Sequence, residues 1–401
     1  MKRCFLLFIA FLSFLPAQAY QTDRLQVSLL TVEPRNIQLY TVYGHTALRL
    51  YDPSQQIDMV LNWGTFDFDA PHFLYRFIRG ETDYFLSYST YEQFLYVYQW
   101  GNATVIEQIL DLPPEGKDVL LEKLSINLQP ENRVYRYNFL FDNCTTRVRD
   151  LIEQSSSGLV YPDQTEKTTF RKWIHSCTES YPWMTFGIDL LIGSGADSLI
   201  SARQELFLPV RLKEAFDESR LLDLKPLVVS SVQVLTAVPE PDPRREIGES
   251  PFMVGCLIVL IYIISAMIGR KKNRPFKAWF APLFLLAGAA GCLLAFMAAF
   301  SYHPCVSPNW NLLWLHPLHL LALADWIRHD QNTVCGGWQI QPVLTRTLFG
   351  YHAVNFVLLC GLLLGWRWIP QTLNPATIPF ILCLLLASGY WIWINRKHLR
   401  S

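Results

Sequence analysis

Over the first 236 residues, apolar and polar positions alternate in short runs. These predict strands near Gln26–Thr31, Ala47–Tyr51, Met59–Trp63, Val105–Leu110 and Val134–Tyr137. Between them, apolar positions return at helical spacing over Pro71–Arg79, Tyr91–Trp100, Pro114–Leu128 and Thr145–Gln154. Strands mixed with separate helices predict an α+β domain. From residue 251 the pattern changes to long, nearly continuous apolar stretches, near 252–269, 278–300, 311–327, 349–368 and 376–395. Most approach the ~20 residues that a spanning helix needs. The third is interrupted by His316, Pro317 and His319 and reads as a broken or re-entrant helix. Between the two patterns, Val238–Pro251 is proline-rich and charged, a stiff linker. The expected organisation is a leader at 1–19, a domain at 20–236, a linker at 237–250, and a transmembrane region of about five spans at 251–401.

Composition agrees with two bodies in different media. Only 17% of the 401 residues are charged and 51% are hydrophobic, against roughly 25% charged in soluble domains. That argues against a soluble cytosolic enzyme and against a disordered chain. The formal charge is zero, but residues 20–250 carry 21 Lys and Arg against 32 Asp and Glu, while residues 251–401 carry 11 against 2. No basic face of the kind that binds nucleic acid emerges. Met1-Lys2-Arg3, the apolar run Cys4–Leu15 and Pro16-Ala17-Gln18-Ala19 form a secretory signal pattern. Basic residues cluster after the first stretch (Arg270, Lys271, Lys272, Arg274, Lys277), after the third (Arg328, Arg346) and after the fifth (Arg396, Lys397, Arg400). With five spans these fall on one side, which the positive-inside rule makes cytoplasmic. Residues 20–250 then lie outside, on the periplasmic face of a bacterial inner membrane, as the leader also implies.

Two segments carry candidate chemistry: Tyr43-Gly44-His45-Thr46-Ala47-Leu48-Arg49-Leu50, and Tyr137–Asp150 with Asp142-Asn143-Cys144-Thr145-Thr146-Arg147 at its centre. Asp and Asn are strong helix N-cap types, and Val148, Leu151 and Ile152 share one helical face. Cys144 therefore falls in a first helical turn, where free N–H groups and the helix dipole favour a thiolate. The same amides can stabilise an oxyanion. His45, at the start of an apolar strand, is the candidate base. Asn62, on the next predicted strand, is the candidate to orient its ring. Tyr43, Arg49, Asn143 and Arg147 are candidate substrate-binding residues. Taken alone, these residues leave three readings of Cys144 open: a nucleophile, a disulfide partner of Cys177, or an inert thiol. The aromatic cluster Tyr84, Phe85, Tyr88, Tyr91, Phe94, Tyr96, Tyr98 and Trp100 reads as core packing or as a lipid-facing surface. No metal-ligand spacing of Cys or His appears.

The segments YGHTALRL and FLFDNCTTRVRD resemble the His and Cys signatures of the Lnb family, the intramolecular lipoprotein N-acyltransferases. Asn62–Phe68, Thr169-Phe170-Arg171, Gly187–Gly193 and Phe207-Leu208-Pro209 resemble it too, and Asn309–Pro317 is similar to its membrane region. The His-then-Cys order also resembles permuted papain-like (NlpC-type) enzymes. The resemblance implies a permuted papain-like exported domain with Cys144 as nucleophile and His45 as base. It implies a diacylglyceryl-modified lipoprotein as substrate, membrane lipid as surroundings, and no metal or cofactor. The outer loop Ser301–Trp310, with His303 and Trp310, is expected either to floor the site or to anchor the membrane interface. The rival expectations are an exported cysteine peptidase or amidase acting on cell-wall peptide, and a non-catalytic membrane sensor or assembly factor. Oligomeric state is not legible.

Overall fold

A computed structural model describes residues 22–35, 41–163, 166–238, 250–271, 280–323 and 340–395. The leader, most of the proline-rich linker and part of the expected third span lie outside the described residues.

The first domain is built on an antiparallel sheet. Its strands are β1 (Gln26–Val32), β2 (His45–Asp52), β3 (Ile57–Thr65), β4 (Asp83–Thr90), β5 (Val105–Leu110), β6 (Val134–Arg136) and, after a short pair β7 (Leu159–Val160) and β8 (Arg220–Leu221), β9 (Val228–Leu235). Seven of them form one sheet in the order β6-β4-β3-β2-β1-β5-β9. Alternation along the strands sends side chains to two apolar layers. Leu29, Leu48, Leu50, Leu61 and Trp63 pack with Val148, Leu151 and Ile152 of helix Cys144–Ser155, and with helices Pro114–Leu128 and Pro209–Glu218. Leu30, Val32, Ala47 and Val60 pack with Phe94 of helix Tyr91–Trp100 on the other face. Within this sheet two strands escape the sequence pattern. β4 carries Tyr84, Phe85 and Tyr88 of the aromatic cluster, and β9 is an edge strand whose side chains are mostly accessible.

Four helices are long and apolar enough to cross a membrane: Pro251–Lys271, Ala281–Phe300, Arg346–Leu364 and Thr377–Asn395. The expected third span is not a continuous helix among the described residues. It begins as two 3-10 stretches, Trp310–Leu313 and Pro317–Leu323. Pro317 cannot donate a helical hydrogen bond, which accounts for the break. These stretches still descend beside the preceding helix. Gly291 lies against the His316 backbone and Gly288 against Leu320, roughly 13 and 18 Å along that helix from Phe300. Irregular backbone at such depth must be satisfied by protein. The His319 ring meets the Trp314 carbonyl at 2.8 Å and the Tyr351 hydroxyl at 2.6 Å, and His316 meets Asn355 at 3.3 Å.

The two parts are fastened by a buried polar network. Arg171 and Asp189 are each about 2% exposed and pair at 2.6 Å. Arg171 also bonds Asp197 at 2.8 Å and the Gly193 carbonyl at 2.9 Å. From the membrane side, Asn374 donates to the Asp189 carboxylate, Asn311 to the Asp189 carbonyl, and Asn309 to the Leu190 carbonyl, at 2.8–2.9 Å. A second fastening joins helix Phe73–Arg79 to the loop after Phe300. Tyr302 N–H donates to the Arg79 carbonyl and Ser301 Oγ to the Ile78 carbonyl, each at 2.8 Å.

Candidate active site

Asn143 caps the helix Cys144–Ser155, as its residue type predicts. Its Oδ1 accepts the Thr145 and Thr146 amides at 2.8 and 2.9 Å, and the Thr146 hydroxyl accepts the Asn143 amide at 2.8 Å. Its Nδ2 donates to the Phe139 and Phe207 carbonyls at 2.7 and 2.9 Å. Every polar group of this side chain is thus used inside the domain, and Asn143 is buried. The structure places it as the residue that sets the backbone beneath Cys144, not as one that faces a substrate. The cap also occupies two first-turn amides that the sequence reading left free for a thiolate or an oxyanion.

Residue 144 then starts the helix at the end of the sheet where β2 begins. Gly44, at φ +76°, turns the chain into β2 so closely that a Cβ there would lie 2.4 Å from the Val32 carbonyl oxygen. The β2–β3 ladder runs as far as Ala47–Asn62, and the β3–β4 register shifts between Asn62 and Thr65. Within that bulge Gly64 adopts φ +92°, and a Cβ built on it would touch Cys144 Cβ at 3.8 Å and the Tyr137 ring at 3.7 Å. Cys144 occupies the space the bulge opens.

There Cys144 and His45, 99 positions apart in the chain, come close enough for each to act on the ionisation of the other. Burial by itself would push the thiol up. The charge and hydrogen bond of His45, the Thr46 backbone and the Thr145 hydroxyl outweigh it and hold Cys144 below the ordinary thiol value. Burial would likewise push His45 down, but the Cys144 charge, its hydrogen bond and that of Asn62 raise the imidazole above its usual value. Both shifts have one cause: each group favours the charged form of the other. The ring Nε2 lies 3.2 Å from Asn62 Oδ1. Behind the sulfur, Thr145 Oγ1 is 3.8 Å from Sγ and 3.0 Å from Thr46 Oγ1. Cys144 and Cys177 are both free thiols, so the disulfide reading does not hold in this structure.

The remaining candidates are placed differently. Arg49 reaches away from the thiol into an ion network, with Asp58 at 2.8 Å, Glu107 at 3.0 Å and its guanidinium 3.4 Å from the Tyr91 ring centroid. Arg147 pairs with Asp142 at 2.6 Å and lies 3.5 Å over Tyr135. The Tyr43 ring packs on Phe139 with centroids 4.6 Å apart. His303 and Trp310 are held elsewhere: His303 Nε2 meets the Phe77 carbonyl at 2.6 Å, and the Trp310 amide donates to Gln371 at 2.8 Å. What the sequence reading missed is a group of tyrosines, Tyr84, Tyr135 and Tyr137, around Cys144. Burial raises the pKa of each phenol, and the Cys144 charge adds to this for Tyr135 and Tyr137. They remain neutral, so the pair's surroundings are aromatic and uncharged. Tyr84 and Tyr137 stack at 4.3 Å; Tyr84 belonged to the noted aromatic cluster, but only β4–β6 pairing brings it beside Tyr137. Among the described residues, no group of three or more His, Cys, Asp or Glu is arranged to hold a metal ion.

Fold and site together define a multi-pass membrane protein whose extramembrane α+β domain carries a Cys–His pair at a helix start. Residues 14–176 match the Lnb N-terminal periplasmic domain and residues 244–398 match the Lnb transmembrane domain. The chain belongs to the Lnb family, with its N-terminal domain in the periplasm. No curated protein and no solved structure gave a match.

Proposed function

We propose that this protein is an intramolecular lipoprotein N-acyltransferase of the bacterial inner membrane, with a permuted papain-like catalytic domain. The observation that carries the reading is the meeting of Cys144, at a helix start, with His45, on a preceding strand, where each shifts the ionisation of the other and Asn62 holds the imidazole at 3.2 Å. Family membership and the fastening of the domain to the outer ends of the spans support it.

The Cys144 thiolate attacks the sn-2 ester carbonyl of a diacylglyceryl lipoprotein. The carbonyl–oxygen bond breaks, the His45 imidazolium protonates the departing glyceryl alkoxide, and the acyl chain rests on Cys144 as a thioester. The α-amine of the lipoprotein's N-terminal cysteine then attacks the thioester and passes its proton to His45. The carbon–sulfur bond breaks and the thiolate is regenerated. An α-amine of pKa ~7.7–8.0 is partly neutral at working pH, so this step needs only a modest base. Both reacting groups belong to one substrate, which supplies proximity. Asn62 holds the imidazole through the reversal of its proton transfers.

The test is mass spectrometry of a lipoprotein N-terminus after expression with the intact protein, Cys144→Ser or His45→Ala. The expected result is the N-acylated lyso form with the intact protein and unconverted diacyl lipoprotein with both variants. Full conversion by Cys144→Ser would remove the mechanism.

A further inference from the structure

The rings around Cys144 do not stop at the site. Tyr137, whose ring and the Cys144 Cβ flank the same Gly64 position, stacks on Tyr84 at 4.3 Å. Tyr84 contacts Phe66 at 5.0 Å, Phe66 contacts Phe73 at 5.9 Å, and Phe73 contacts Phe77 at 6.0 Å. Phe68 bridges Phe66 and Phe73 at 4.5 and 5.2 Å. The series ends at the membrane part: Phe77 lies 5.7 Å from the His303 ring, and Tyr75 lies 6.3 Å from Phe296 on the helix Phe280–Phe300.

The carrier of these rings is unusual for a periplasmic domain. Helix Phe73–Arg79 buries none of its residues, although five of the seven are apolar or aromatic. Leu74 is 70% exposed and the preceding Phe68 is 62% exposed. A face of this kind in water is unfavourable. Here the backbone is tied to the outer end of a spanning helix by the Ser301, Tyr302 and His303 contacts. Gly80 makes the approach possible: a Cβ there would lie 2.9 Å from the His303 amide nitrogen. The helix is therefore held beside the end of that span, with its apolar face uncovered by protein.

We propose that Phe66, Phe68, Phe73 and Phe77 form a binding track for one fatty acyl chain of a diacyl lipid, leading from the outer leaflet to Cys144. The track deepens the acyltransferase reading and rests on it for the identity of its substrate. An apolar chain gains free energy by leaving water along such a surface, and a neutral aromatic wall takes it without a charge to desolvate. The charges of the same helix are paired, Arg76 with Asp83 at 2.6 Å and Arg79 with Glu81 at 2.9 Å, and the Arg79 guanidinium lies 5.9 Å from the Tyr75 ring rather than against the four phenylalanines.

The experiment uses full-length Cys144→Ala protein, which binds but cannot transfer. It is reconstituted in phosphatidylethanolamine–phosphatidylglycerol vesicles doped with a phospholipid bearing a diazirine near the end of its sn-2 chain. After irradiation, peptides are mapped by mass spectrometry. The expected result is labelling of the 66–77 segment, reduced threefold or more by Phe68→Ser and by Leu74→Ser, both at exposed positions. In a Cys144-containing background, Leu74→Ser is expected to keep the wild-type rate of Cys144 alkylation. Labelling confined to the spanning helices would overturn the track, and so would cross-linking of this face to a second copy in place of lipid. Track labelling with no lipoprotein conversion by the intact protein would retain the track and defeat the acyltransfer reading. Conversion without track labelling would do the reverse.

Discussion

Replacing His45 by glutamine tests the electrostatics of the site most directly. The substitution removes the imidazolium charge and its hydrogen bond but leaves the sulfur where it is. Burial alone raises the Cys144 pKa, and His45 supplies two of the four influences that oppose it. Without them burial prevails and the thiol rises toward or above its ordinary range. The interaction with the charged sulfur, taken as one hydrogen bond of about 1 kcal/mol, is worth roughly a fivefold loss of thiolate. The alkylation rate at pH 7 is therefore expected to fall about fivefold or more. The sign follows from the depressed thiol: reactivity is lost as pH falls through its pKa, so raising that pKa moves the loss upward in pH. The assay is iodoacetamide alkylation of the full-length protein from pH 5 to 10, followed peptide by peptide. Cys177, whose thiol burial pushes up, is the internal comparator. An unchanged inflection and an unchanged rate at pH 7 in His45→Gln would refute the reasoning.

Other perturbations have equally direct readouts. Asn62→Ala removes the 3.2 Å contact to His45 Nε2; a lost hydrogen bond of about 1 kcal/mol predicts a several-fold slower transfer with Cys144 alkylation still above that of His45→Gln. Gly44→Ala places a Cβ 2.4 Å from the Val32 carbonyl oxygen at a positive φ; the left-handed strain alone costs about 1–2 kcal/mol, and lipoprotein conversion is expected to fall about tenfold as His45 is displaced. Arg171→Met strips the main partner from a carboxylate that is 2% exposed; thermal unfolding is expected to show a loss of about 3–5 kcal/mol, while a neutral result would mean Asn374 and His175 suffice to hold Asp189.

Much of the architecture is written locally. Alternation marked β1, β2, β3, β5 and β6, and helical spacing marked three of the helices that cover the sheet, Tyr91–Trp100, Pro114–Leu128 and Cys144–Ser155 (but not Pro209–Glu218), because one side of each element must meet the core. Asn143 announced the start of the Cys144 helix, since few residues can accept two first-turn amides. The apolar stretches announced the spans. β4 stayed hidden because nearly all its positions are aromatic or polar enough to suit either face, and β9 because an edge strand needs no clean alternation.

The meeting of Cys144 with His45 belongs to tertiary structure. It depends on the sheet order, on the bulge at Gly64 and on the tight entry at Gly44, none of which leaves a periodic trace. The same holds for Arg49, a candidate for substrate that pairing across β2, β3 and β5 turned inward to Asp58 and Glu107. It also holds for the tyrosines that gather around the thiol. Periodicity encodes which face of an element is apolar; which charged or reactive side chains share a space is decided only when distant strands are laid side by side.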